Sequence, residues 1–177
     1  MTDAQTRPVE ATAVVTGSER ELAVAQWLLS AADDRERARA EWGSAGLALL
    51  RCGGILGAVG LPARLVWSAA GSEELMPVDA YLSQALEGPV FMDLHTLRYY
   101  ALVPPRSLER FPLEGFPGAA HIGRDHYLGV PDVRRTTPRE RSYWCVPMNS
   151  PGVLCPVEAV EAMARAGRTR MVEEAWR

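Results

Sequence analysis

Residues 46–65 read GLALLRCGGILGAVGLPARL, the most apolar stretch of the chain. Two short apolar runs, Ala45–Arg51 and Ile55–Leu61, flank Cys52-Gly53-Gly54. Paired glycines supply the positive φ of a tight turn, so the stretch predicts a hairpin. Pro62 suits the first position of a following helix, where its missing N–H costs nothing. No carboxylate occurs between Glu41 and Glu73.

On the N-terminal side, residues 1–17 are small and polar and read as a flexible lead-in. Ser18 and Glu21 have capping-box spacing, which predicts a helix to about Ala32 with Val24, Trp27, Leu28 and Ala31 on one face. Asp33 and Asp34 can cap a second, heavily charged helix over Arg35–Trp42.

On the C-terminal side, the helix led by Pro62 runs through Leu65, Val66 and Ala69 to Gly71. Another covers about Val78–Leu86 and ends at Gly88. Pro89–Leu94 and Leu97–Val103 form the clearest strand pair, turning at His95-Thr96. A loop follows over residues 106–120, then a strand near His126–Val130 and an arginine-rich loop over Asp132–Arg141. Ser142–Met148 reads as a last strand. Pro156–Ala166 reads as a helix that Gly167 ends, with residues 168–177 as a tail. One domain over residues 18–167 follows. Strands grouped in pairs between helices predict an α+β fold: a mixed, mainly antiparallel sheet with flanking helices.

The 177 residues carry a net charge of −3, which excludes a polyanion binder acting by bulk charge. All 19 basic residues are arginine. Residues 133–177 hold eight of them against five carboxylates, so the excess negative charge lies in the rest of the chain. Cys52, Cys145 and Cys155 form no CxxC pair, which argues against a disulfide framework or a zinc ribbon. No basic start followed by an apolar core marks a signal peptide, and no apolar run is long enough to span a membrane. A cytoplasmic protein with reduced thiols is expected.

Four segments in order resemble the N-terminal domain of the actinobacterial bifunctional DNA primase/polymerase family, the prim-pol domain. They are AADDRERARAEW, GLALLRCGGILGAVGLP, GPVFMDLHTLRYYALVPP and HIGRDHYLGVP, and the resemblance covers roughly residues 21–150. It implies an α+β fold and a two-metal nucleotidyltransferase site, in which paired carboxylates on a strand hold metal ions. The family's D-x-D falls near Ala58-Val59-Gly60, where no acid stands. Its hairpin histidine falls near Arg98, three residues after His95, and Arg124 stands where the family strand has its arginine. What the resemblance implies for this chain is a non-catalytic relative, a pseudoenzyme without metal or cofactor. It would act as a binding or regulatory factor on a protein partner, through the Trp27 helix or the C-terminal helix. The alternative is a nucleotidyltransferase, or a binder of nucleotide or single-stranded nucleic acid, using Asp93, Asp125, Arg98 and Arg124.

The residues themselves offer two further groups. Arg134, Arg135, Arg139 and Arg141 form the one dense basic cluster, suited with Arg98 and Arg124 to phosphate groups. Tyr143 and Trp144 beside them offer a stacking surface, although strand alternation turns at least one of them inward. Asp93, His95, Tyr100, Asp125 and His126 make a candidate pocket of imidazole and carboxylate without the spacing of a known ligand pattern. Serine-hydrolase and P-loop motifs are absent, the second necessarily so in a chain without lysine.

Overall fold

A computed structural model of the chain describes residues 16–177. The flexible lead-in expected for residues 1–17 lies, up to residue 15, outside the described residues. Helix α1 spans Gly17–Leu29 and α2 spans Arg35–Ala45. Strands β1 (Leu47–Arg51) and β2 (Gly57–Pro62) follow, then α3 (Ala63–Ala70) and α4 (Leu75–Leu86). Strands β3 (Val90–Asp93), β4 (Arg98–Val103), β5 (Ala120–Ile122), β6 (Tyr127–Pro131) and β7 (Ser142–Val146) precede the last helix, α5 (Val157–Ala175).

The α+β class is as the sequence predicts, but the strands pair differently. Among the described residues every ladder is antiparallel, and there are two sheets: five strands in the order β5-β2-β4-β3-β7, and a separate β1-β6 ribbon. The hairpin expected across Cys52-Gly53-Gly54 does not form, because β1 pairs with β6 while β2 pairs with β4 and β5. Burial gives the reason. β1 alternates between buried Ala48 and Leu50 and exposed Leu49 and Arg51, as a one-sided ribbon does. Residues 57–61 of β2 are all buried, as in a strand covered on both faces.

The five-stranded sheet is therefore a middle layer. Val59, Leu61, Tyr99, Ala101, Val90, Met92 and Tyr143 face α3, α4 and α5 in one core. Ala58, Leu102, Phe91 and Trp144 face the other way, into a second core closed by α1, α2 and the ribbon. Two indoles fix the ribbon there. Trp42 Nε1 donates to the Val130 carbonyl at 3.0 Å, and Trp144 Nε1 donates to the next carbonyl, Pro131, at 3.1 Å. Tyr143 and Trp144 are both buried, one in each core, so neither offers the stacking surface expected of them.

Three element ends differ from expectation. The capping box forms two residues early, Thr16 with Glu19 rather than Ser18 with Glu21: the Glu19 amide donates to Thr16 Oγ1 at 3.2 Å, and the Thr16 amide donates to Glu19 Oε2 at 2.7 Å. β5, which was not expected from the sequence, starts at the last residue of the 106–120 loop and runs to Ile122, because its three residues pair with Ala58–Gly60. α5 runs through Gly167 without breaking. That glycine serves packing: a Cβ on it would lie 2.2 Å from the Leu65 carbonyl oxygen, so only glycine lets α5 cross α3 at this distance.

Candidate functional site

Ala58, Val59 and Gly60, the residues on which the sequence resemblance bears, form the centre of β2. Ala58 is wholly buried in the second core beside Leu102 and Phe91. The space above Gly60 is filled: a Cβ there would lie 3.1 Å from Ile122 Cδ1, 3.3 Å from an Arg98 guanidinium nitrogen and 3.4 Å from Tyr100. Val59 points into the opposite core. All three residues are buried, and no group of three or more His, Cys, Asp or Glu among the described residues is placed to hold a metal ion.

The candidate pocket residues separate into three places. Arg98 stands opposite Pro62, at the far end of β2, with Asp93 as its neighbour on β3. Ile122 stands opposite Ala58, and Arg124 and Asp125 lie beyond it. Four residue steps along β2, from Ala58 to Pro62, separate the two ends, roughly 13 Å at the rise of a strand. Tyr100 lies between them, stacked on Phe91 at 5.0 Å.

Asp93 is occupied by its own turn. Its oxygens accept from the His95 amide at 2.9 Å and Thr96 Oγ1 at 3.0 Å, and Arg141 lies 3.7 Å away. His95 is exposed on that turn. Arg98 donates to the Gly118 carbonyl at 2.7 Å. His126 is exposed, with Nδ1 3.0 Å from the Arg124 carbonyl.

The basic cluster is largely neutralised from within. Arg134 forms a two-pronged pair with buried Asp132, through Nε at 3.1 Å and Nη2 at 2.7 Å. Arg135 pairs with Glu140 at 3.1 Å. Arg139 has no carboxylate partner among the described residues.

Among the surface concavities of the described residues, two bear on the candidate residues and the C-terminal helix. One, of about 520 Å³, is lined by Asp33, Arg51, Gly53, Gly54, Arg124 and Asp125, where the end of α1 meets the β5–β6 turn. Gly53 takes φ +94° there, and a Cβ on it would lie 2.6 Å from the Arg124 backbone. The cleft brings two of the sequence candidates, Arg124 and Asp125, beside Arg51, which sequence reasoning had not singled out.

The second is an apolar groove of about 580 Å³ beside the last two turns of α5. Pro62, Leu65, Phe116 and Pro117 form one wall, and Met171, Val172 and Trp176 the other. The Trp176 residue is 84% exposed and Val172 50% exposed, so among the described residues nothing covers this apolar wall. The ends of the groove carry Arg64 and Arg168 and no carboxylate. Sequence reasoning missed this groove, because taking Gly167 as a helix end hid the i, i+4 row Arg168, Val172, Trp176.

A buried polar group lies apart from both concavities. Tyr143 Oη donates to Asp79 on α4, and Trp67 Nε1 donates to Tyr99 Oη at 3.1 Å. Burial pushes the Asp79 carboxyl up to about 6, against the lowering effect of its bonds to Tyr143 and Cys145. Burial likewise pushes the thiols of Cys52, Cys145 and Cys155 up, which leaves them protonated and unreactive as nucleophiles. All three are free of disulfides.

Comparison with protein-family models, curated proteins and solved structures gives no match. Among the described residues no helix is long and apolar enough to cross a membrane.

Proposed function

We propose that this chain is a non-catalytic, prim-pol-like accessory protein that works by binding another protein at the groove beside the end of α5. The observation that carries the reading is the 84% exposed Trp176 standing over an apolar groove that no other described residue covers. An aromatic anchor beside a concave apolar surface and flanking arginines is the composition of an interface hot spot. The buried Ala58 and the filled space above Gly60 support the non-catalytic half, since two-metal chemistry needs paired carboxylates open to solvent and substrate.

Affinity capture with the full chain tests the surface. A protein retained by the wild type and lost by Val172→Glu supports the reading. A retained set unchanged by Val172→Glu and by Trp176→Ala contradicts it.

A second reading, binding of a nucleotide or single-stranded nucleic acid, has one observation in its favour. Arg124 has no carboxylate partner among the described residues and shares the 520 Å³ cleft with Arg51. Asp33 and Asp125 in the same cleft cancel that charge, and the 134–141 loop is mostly paired internally. The protein-binding reading is therefore preferred.

A further inference from the structure

The groove beside the end of α5 carries charge of one sign only. Arg64 and Arg168 are among its lining residues, and no carboxylate is. Both arginines are exposed, and neither forms an ion pair among the described residues. Glu173 and Glu174 share the last turns of α5 but do not line the groove. At about 100° per residue, each stands roughly 130° around the helix from the middle of the face formed by Arg168, Met171, Val172, Ala175 and Trp176. The positive charge of the groove is therefore unanswered among the described residues.

The walls also restrict the shape of what fits. They come from α3, α5 and the 115–117 turn, and Pro62, the one strand residue among them, has no N–H to offer. A partner lying here finds no strand to extend. Its backbone must close its own hydrogen bonds, as a helix does. From Arg168 to Trp176 the groove follows α5 for about 12 Å, the length of two helical turns. A flat lipid surface would meet such a concavity only at its rim.

We propose that the occupant of this groove is an acidic amphipathic helix of another protein, with its apolar row in the groove and its carboxylates on Arg64 and Arg168. The proposal rests on the reading of the groove as a protein-binding surface and adds the charge and shape of the partner. A guanidinium presents paired N–H donors that match a carboxylate. Arg168 is already held in place, because its Nη1 donates to the Gly115 carbonyl at 3.0 Å. Trp176 supplies the apolar anchor, while the arginines select an acidic partner and speed its arrival.

Selection from a phage-displayed library of random peptides about four helical turns long, on the immobilised full chain, tests this. The enriched peptides are expected to carry net negative charge and to repeat apolar residues at i, i+3, i+4 and i+7. Binding of one such peptide, read by fluorescence polarisation, should weaken about tenfold or more in Trp176→Ala. It should weaken about threefold or more in Arg64→Glu, and fall as salt is raised. Arg64 and Trp176 are both exposed, so an unchanged thermal midpoint separates lost contact from lost fold. Apolar peptides without net negative charge, bound equally by wild type and Arg64→Glu but lost in Trp176→Ala, overturn the acidic partner and leave the protein-binding surface standing. A selection that yields no peptide dependent on Trp176 contradicts both. Trp176-dependent binding to vesicles of anionic phospholipid, in place of peptides, assigns the groove to a membrane surface and overturns the proposal as well.

Discussion

The hydroxyl of Tyr143 on β7 lies 3.1 and 3.2 Å from the two carboxylate oxygens of Asp79 on α4. The bond ties the edge strand to the helix layer and holds a half-buried carboxyl beside the Cys145 thiol and Tyr99. Burial raises the Asp79 pKa from 3.8 to about 6, so between those values the folded chain holds this proton more tightly than the unfolded one. Stability linked to Asp79 must therefore fall as pH rises through that window. The loss is about 1 kcal/mol, since a half-open carboxylate is partly screened by water. Asp79→Asn keeps an acceptor for Tyr143 and removes the charge. It should raise the thermal midpoint at neutral pH by about 2–4 °C and flatten this slope in a pH series of melts. A slope unchanged in the variant assigns the titration to another group.

Asp132 has the opposite sign. Burial alone would raise its pKa, but the Arg134 amide at 3.0 Å, its guanidinium and the nearby Arg135 charge hold it below the ordinary carboxylate value. Its contribution is complete above that ordinary value and is lost as pH falls through the depressed one. Asp132→Asn should cost about 1–3 kcal/mol at neutral pH and much less in strong acid, as read by urea unfolding at the two conditions.

Gly167 is a packing residue within α5. Alanine favours a helix over glycine by about 1 kcal/mol, so without tertiary contact Gly167→Ala should stabilise. A Cβ 2.2 Å from the Leu65 carbonyl forces α3 and α5 apart instead. Net destabilisation of about 1–3 kcal/mol is expected in urea unfolding. A more stable variant would show that the two helices can separate freely.

Restoring an acid at the centre of β2 should give no metal site. Ala58→Asp places a carboxylate among Leu102, Phe91 and Trp144, in an apolar core. A loss of about 3–5 kcal/mol and no Mg²⁺-dependent rise in thermal midpoint are expected. Mg²⁺ stabilisation of this variant would mean the position is open after all.

The sequence signals that read correctly were local. Asp34 accepts from the Glu36 and Arg37 amides, Gly71 takes the left-handed cap after α3, and β3 and β4 pair across the His95-Thr96 turn. Each depends on residues within a few positions of one another. The strand partners of Gly46–Leu65 did not read correctly, because Cys52-Gly53-Gly54 has hairpin composition while β1 is claimed by β6, about 80 residues away. One clue was present in the residues: LALLR ends in a charge, whereas GAVGL is apolar throughout, a difference between one-sided and two-sided burial. The site was less legible. Asp93, His95, Arg98, Arg124 and Asp125 share polar chemistry but sit at opposite ends of β2, and the groove at α5 arises only when residues 62–65, 115–117 and 168–176 meet. The C-terminal helix was legible as a helix; its extent beyond Gly167 was not, because α3 rather than α5 explains that glycine.

The central claim is that the fold holds no working two-metal site and acts by binding protein. Isothermal titration of the full chain with a nucleoside triphosphate, with and without Mg²⁺, tests it most directly. No Mg²⁺-dependent binding is expected at concentrations up to about 1 mM, where the weakest specific sites still register. Saturable binding that appears only with Mg²⁺ would contradict it.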